Sequence, residues 1–218
     1  MRYAIVSDVH NRSQKLQAVL ADAQARQVDQ ILSLGDIGGP ACLTMLRDAG
    51  AEAVFGNYEV SGWRRLPAGH RAWVRGWPPL WQGEDLIAVH AAPWWPEGLH
   101  TVTEFGAWLE RTGSSWRTLF PYLDAGTDAL WQAFAELEVV DKAILFHGHT
   151  HHQAVWRWLP SSRLKQVHAA RFKIVSGSRY AVGVGSVGLP EDGSWAAYVV
   201  YDADARQIDL IRLASPRP

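Results

Sequence analysis

The chain has 218 residues, 48% of them hydrophobic, with 21 basic and 22 acidic side chains and a formal net charge of −1. That length fits one domain with a sizeable core, and the balanced charge speaks against a general nucleic-acid binder. A lone cysteine, Cys42, excludes an internal disulfide framework. No apolar run approaches the ~20 residues of a membrane span, and the first apolar run, Tyr3 to Val6, is too short for a secretory h-region. A soluble cytoplasmic protein without a membrane partner is the expectation.

In chain order, Tyr3–Ser7 reads as a buried strand, and Ser13–Arg26 as a helix with Leu16, Val19, Leu20 and Ala23 at helical spacing and Ser13 as N-cap. Gln30–Leu34 is a second strand, Pro40–Asp48 a short helix with Pro40 in its first turn, and Ala53–Phe55 a third strand. This β-α-β-α-β order implies parallel strands. Regularity breaks between Val60 and Leu86, where Pro67, Pro78 and Pro79 fall. Strands then follow at Leu86–Val89 and Lys142–Phe146, and helices at Thr103–Arg111 and Asp128–Leu137. Ala154–Trp158, Phe172–Val175, Tyr180–Val184, Ala196–Tyr201 and Gln207–Leu213 carry an antiparallel β signature. No repeat or linker interrupts residues 1–218, so one domain with an insert at about 60–140 is expected. Nine of the twelve tryptophans fall between Trp63 and Trp131. They suit either an aromatic packing layer or a cleft wall for a ring.

Polar groups gather where apolar strands end. Asp8 and His10 follow the first strand, Asp36 the second, Asn57 the third, His90 the fourth, and His149 and His151 the strand before them. Residues two apart on an extended chain face the same way, and open α/β sheets build sites beyond their carboxyl strand ends. Two carboxylates, one amide and four imidazoles without a thiolate suit Mn, Fe, Zn, Ni or Co. Seven ligands exceed the need of one tetrahedral zinc and suit two divalent metal ions. Singly, each residue has a plain alternative: Asp8 or Asp36 as a cap, Asn57 as a turn residue, His90 as a core histidine.

These motifs, Asp8-Val-His10, Gly35-Asp36, Gly56-Asn57, His90 and Gly148-His149-Thr150-His151, resemble the calcineurin-like metallophosphoesterase superfamily in order and spacing. Gly185-Ser186-Val187-Gly188-Leu189-Pro190 looks like the C-terminal segment of its small bacterial and archaeal phosphodiesterase-like branch. The resemblance implies an α/β fold: a four-layer α/β/β/α sandwich of two mixed sheets flanked by helices, here with a Trp-rich helical insert. It implies one metal on Asp8, His10, Asp36 and His151 and another on Asp36, Asn57, His90 and His149, with Asp36 bridging. It implies phosphoester hydrolysis by in-line attack of a hydroxide made available at the metals, with Asp36, Asn57, Tyr58 and His149 serving catalysis. Small phosphoesters, nucleotides and phosphoproteins are the implied substrates. A dinucleoside polyphosphate hydrolase is an alternative, as is a non-catalytic scaffold like the retromer subunit of this fold.

One departure stands out. The superfamily usually continues Gly-Asn with His, which contacts the phosphate and is often assigned to protonate the leaving group. Here the run is Gly56-Asn57-Tyr58-Glu59. Relatives in the small bacterial branch also lack this His. A phenol is a poor proton source near neutrality, which favours good leaving groups, diesters, or another acid such as His70. Asn57, Tyr58, Arg64 and Arg65 are the candidate substrate contacts, and Glu59 either orients ligands or lies at the surface. His147 and His152 read as structural or exposed, and His100 and His168 have no special context. Two acid-free stretches, Arg64–Arg75 and Lys142–Arg179, form either a local positive field or ordinary solvated surface. Gly183-Val-Gly185-Ser-Val-Gly188 matches a dinucleotide fingerprint but leads into a turn, not a helix.

Overall fold

The structure, a computed structural model, describes residues 1–124 and 126–214. Its first sheet contains β1 (Arg2–Val6), β2 (Gln30–Ser33), β3 (Glu52–Ala53), β9 (Arg171–Lys173), β11 (Ala196–Asp202) and β12 (Gln207–Leu213), ordered β3-β2-β1-β11-β12-β9. The second contains β4 (Leu80–Gln82), β5 (Leu86–Val89), β6 (Ile144–His147), β7 (Val155–Trp158), β8 (Leu164–Gln166) and β10 (Arg179–Gly183), ordered β4-β5-β6-β10-β7-β8. Strands β1, β2 and β3 run parallel, as do β5, β6 and β10; the outer pairings are antiparallel.

Side-chain alternation along these strands builds the layers. Ile5, Leu32, Ala88, Phe146, Val182 and Val199 meet in a core between the sheets. Their neighbours Ala4, Val6, Tyr198 and Val200 turn outward onto helix α1 (Ser13–Ala25) and helix α2 (Pro40–Asp48), through Leu16, Val19, Leu43 and Leu46. On the opposite outer face, Ile87, Val89, Leu145 and Ala181 receive Leu130, Ala133, Phe134 and Leu137 of helix α6 (Asp128–Val139). Helix, sheet, sheet, helix is the four-layer sandwich expected. The central parallel strands are apolar almost throughout because both of their faces are buried, one against the other sheet and one against a helix.

The structure departs from several sequence expectations. Ser13 is the first residue of α1, not its cap; Arg12 takes the cap position and gives no side-chain bond. Strand β3 spans only two residues and ends before Phe55. Helices α3 (Asn57–Gly62) and α4 (Ala68–Val74), with strands β4 and β8, were hidden by prolines, glycines and short length. Within the region about 60–140, β5 forms over Leu86–Val89 as expected, and the unexpected β4 pairs beside it at the edge of the second sheet. The C-terminal third is not wholly antiparallel: β10 pairs in parallel with β6. Helix α5 (Val102–Thr112) begins one residue earlier than its periodicity predicts. Its capping box explains this, for Glu104 Oε2 accepts the Thr101 N–H at 2.8 Å.

Most tryptophans of the 63–131 stretch are packing residues. Trp77 is buried, while Trp63, Trp73, Trp95, Trp108 and Trp116 pack on the first outer core. The acid-free stretches do not remain unpaired runs: Arg64 meets Glu110, Arg171 meets Asp209 and Arg179 meets Asp141. Among the described residues no helix is long and apolar enough to cross a membrane.

Candidate metal centre

The parallel strands of both sheets end at one edge, and the segments beyond them converge. Asp8 Oδ1 lies 3.6 Å from His10 Nε2 and 3.3 Å from His151 Nε2, and the two imidazole nitrogens lie 3.1 Å apart. Asp36 faces both sides: Oδ2 is 4.0 Å from His10 Nε2 and Oδ1 is 3.5 Å from His90 Nε2. Asn57 Oδ1 is 3.1 Å from His90 Nε2. Asp8, His10 and His151 form one close group of donor atoms, and Asp8, Asp36 and His90 form another. His149 joins less directly. Its backbone N–H donates to Asp8 Oδ2 at 2.9 Å, its ring lies 5.0 Å from that of His90, and its buried Nε2 has no hydrogen-bond partner. All seven sequence-derived ligand candidates therefore lie at one place, six of them with a side-chain donor atom within 4.0 Å of another's.

The local backbone that achieves this is not extended. Asp8, His10, Asp36, His149 and His151 all have positive φ, between 47° and 64°. The reason offered for the Asp8/His10 and His149/His151 pairs, same-facing residues on an extended chain, is thus replaced by left-handed turns that aim both side chains inward. Such a conformation costs free energy in a non-glycine residue and persists only where surroundings enforce it. Hydrogen bonds do so here: Asp8 N–H to Gly35 O at 3.1 Å and His10 N–H to Asp36 O at 3.0 Å. Glycine is required where these loops touch. A β-carbon on Gly56 would collide with Asp36 Oδ1, and one on Gly148 with Ser7 Oγ.

Hydrogen bonds also set the imidazole tautomers. His90 Nδ1–H donates to Leu34 O and His151 Nδ1–H to Leu189 O, both at 2.7 Å. Each Nε2 is left as a lone pair directed at the cluster. His90 Nε2 and Asn57 Oδ1 are then two acceptors facing each other at 3.1 Å, and Asp8 Oδ1 is buried without a hydrogen bond. A cation between such atoms satisfies them all, so the donor set fits a divalent metal. Burial alone would raise Asp8, but the His10 and His151 imidazoles beside its carboxylate outweigh it and hold it well below the usual range. Burial, then the Glu59 and Asp8 carboxylates, pushes Asp36 well above its ordinary value. Asp36 thus lacks a counter-charge among the side chains. Burial and His90 push His149 down to about 3, keeping it neutral.

Glu59 is not a surface residue. It is 3% exposed, and its carboxylate accepts the N–H groups of Asp36 (2.8 Å), Ile37 (3.0 Å) and Gly56 (2.8 Å). This ties the loop after β2 to the loop after β3. Tyr58 is 48% exposed; its N–H donates to Asp36 Oδ1 at 2.8 Å and its ring meets that of His10 edge-on, 4.7 Å between centroids. Arg64 is held by Glu110, whereas Arg65 lines a cavity beside Tyr58. His70 is hydrogen-bonded to Thr44 at 2.8 Å and belongs to neither donor group. His147 is buried at the end of β6, while His152, His100 and His168 are exposed.

Three supports escaped the sequence reading. Ser186 Oγ donates to Asp8 O and accepts the Leu189 N–H, both at 2.7 Å, so its segment fixes the first loop and the carbonyl that orients His151. Asn11 Oδ1 accepts the Gly39 N–H, bridging the first two loops. Tyr122 stacks on His149 at 4.6 Å, with Trp116 and Phe120 beside it. Ser186 lies in the Gly185–Pro190 segment and Asn11 one residue past His10, so both had a signal in local sequence, whereas Tyr122 had none.

Known proteins share this architecture. A metallophosphoesterase of Sphaerobacter thermophilus superposes with a TM-score of 0.73 at 24% identity, over 99% of this chain and 90% of that one. A predicted phosphoesterase of Streptococcus pneumoniae gives 0.52 at 15%, over 97% and 88%. Vps29 of Entamoeba histolytica, solved with zinc, gives 0.51 at 14%, over 99% and 100%. In sequence, the uncharacterized protein MJ0912 of Methanocaldococcus jannaschii is 22% identical over 96% of this chain and 86% of its own length. The model of the calcineurin-like phosphoesterase superfamily domain matches residues 1–206, so the chain belongs to that superfamily.

Proposed function

We propose that the chain hydrolyses phosphoester bonds, of monoesters or diesters, at a centre of two divalent cations of the Mn, Fe, Zn, Ni or Co kind. Asp8, His10, Asp36 and His151 hold one cation, and Asp36, Asn57, His90 and His149 the other. The observation that carries this reading is Asp36, whose two oxygens face His10 on one side and His90 on the other at 4.0 and 3.5 Å. Two bound cations supply Lewis-acid clamping of the phosphoryl group and a water of lowered pKa. The chain's own residues do the positioning. Carbonyls of Leu34 and Leu189 fix the tautomers of His90 and His151, and Glu59 keeps the Asp36 and Asn57 loops in register. Tyr58 stands exposed over His10, where its hydroxyl reaches substrate as a hydrogen-bond donor rather than as a strong acid. Of the two insert arginines, Arg64 is paired with Glu110, whereas Arg65 lines the cavity beside Tyr58 and is the cation placed to meet substrate.

The test is turnover of chromogenic mono- and diesters and of nucleotides with added Mn²⁺, alongside metal content by mass spectrometry. Asp36→Asn is expected to deplete both cation positions and abolish turnover, and His10→Ala to deplete chiefly one. Full metal loading of Asp36→Asn would remove the bridging assignment. Inactivity of the fully loaded wild type on every substrate would favour a scaffold role instead.

A further inference from the structure

Beside the metal centre lies a cavity of about 520 Å³, between the start of α2 and the segment Ser61–Leu66. It adjoins the centre through three loops at once: Asn11 follows His10, Gly38 follows the Asp36 loop, and Tyr58 follows Asn57. Tyr58 is the wall the two spaces share. Its ring touches His10 on the metal side, lines the cavity on the other, and remains 48% exposed. The remaining walls include Pro40, Trp63 and Leu66, with one cation, Arg65, anchored by a guanidinium bond to Ser61 O at 3.1 Å. Exposed apolar surface of this kind next to a reaction centre is costly unless something covers it.

From this juxtaposition we infer that the cavity beside Tyr58 seats a flat, ring-bearing arm of the phosphoester substrate, an aryl group or a nucleobase. The inference rests on the phosphoesterase reading and adds the chemistry of the organic arm. A ring fits the observed walls better than an alkyl chain or a second phosphate. Tyr58 offers an aromatic surface, Trp63 and Leu66 offer apolar contact, and a guanidinium packs on a ring face. Base stacking on such side chains tolerates many rings, since every base has a π-face. With Tyr58 in place of an acid, a delocalised aryl-oxide leaving group also needs no proton donor to depart. Tyr58 and Arg65 thereby set specificity.

The probes are non-hydrolysable phosphonates, so that binding is read apart from turnover. Methylphosphonate, phenylphosphonate and the methylene phosphonate analogue of AMP are titrated calorimetrically into the Mn²⁺-loaded chain. The ring is expected to tighten binding about tenfold over methyl, as removing on the order of 60 Å² of ring surface from water predicts. The larger gain, with phenyl or with the nucleotide analogue, names the source of the ring. A side chain can be grown into the cavity from Gly62, which lines it and where an added β-carbon meets no atom within 4 Å. Gly62→Leu is expected to collapse the ring-to-methyl ratio to about unity, and Arg65→Ala to lower it severalfold, with metal content unchanged in both. Equal affinity for the three probes in the wild type, failure of any to bind the loaded chain, or a ratio that Gly62→Leu does not move overturns the inference. Ester turnover without ring discrimination overturns the cavity assignment alone. Ring discrimination without turnover of any ester supports the cavity and counts against hydrolysis.

Discussion

Five candidate ligands adopt left-handed backbone, and each is held there by bonds to a neighbouring loop. Glu59 is central to that restraint, because one buried carboxylate satisfies three N–H groups of two loops. Glu59→Gln replaces acceptors with an amide whose NH₂ opposes a donor. Leaving even one buried donor unpaired costs ~1–3 kcal/mol. The variant is expected to lose at least about 2 kcal/mol in urea unfolding, and Glu59→Asp to recover little because it is shorter. A wild-type midpoint in Glu59→Gln would show the clamp to be dispensable. His147 makes a second residue-scale prediction. Burial pushes its imidazole down to about 4, only partly offset by the Gly148 carbonyl. The unfolded chain takes up that proton near pH ~6.5 and the folded chain resists until about 4. Its contribution is therefore full above ~6.5 and lost as pH falls through that window. Between about pH 7.5 and about pH 5 the wild type should lose about 2 kcal/mol more than His147→Leu in the metal-free state. Parallel pH profiles for the two proteins would contradict this.

At the scale of elements, the segment Gly185–Pro190 is a strut rather than a nucleotide loop. Val187 N–H donates to Ser7 O at 3.0 Å and Gly188 N–H to Asp8 O at 2.9 Å. Ser186 binds both the first loop and its own segment, and the Leu189 carbonyl sets the His151 tautomer. Ser186→Ala unpairs the Leu189 N–H and frees that carbonyl. We expect about tenfold weaker metal binding, measured by competition with a chelating dye, within the ~10–100-fold range for supports of metal ligands. Affinity equal to wild type would assign the strut to folding alone. The elements missed from sequence are those with the weakest local signals. Helix α3 begins at a ligand and lasts six residues, and β4 and β8 have three each. Short pieces carry too few positions for a period to emerge, and it is packing against neighbours that holds them in shape.

Over the whole molecule, two sheets place their parallel strand ends at one edge, and the donor atoms of the centre come from both. Residues from positions 8 to 151 must be brought together before any cation has a full set of ligands. Metal binding and tertiary stability are accordingly linked. A cation at ~100 times its dissociation constant adds ~2.7 kcal/mol, so chelation should lower Tm by about 5–10 °C for a chain of this size. Re-added Mn²⁺ should restore it. A Tm indifferent to chelator would mean that the centre is held by the protein alone.

What the sequence determined by itself was the alternation of apolar strands, the two long helices that pack on them, and the ordered polar residues at strand ends, because these depend on neighbours within a few positions. Tertiary structure alone decided that His70 answers to Thr44, that Arg64 answers to Glu110, and that Glu59 is a buried clamp. It also decided that Tyr58 divides the metal centre from an apolar cavity. Thr44 and His70, Arg64 and Glu110, and Glu59 and the Asp36 and Ile37 N–H groups are 22 to 46 residues apart, a separation at which no local pattern says whether a side chain meets solvent, a backbone N–H or a ligand.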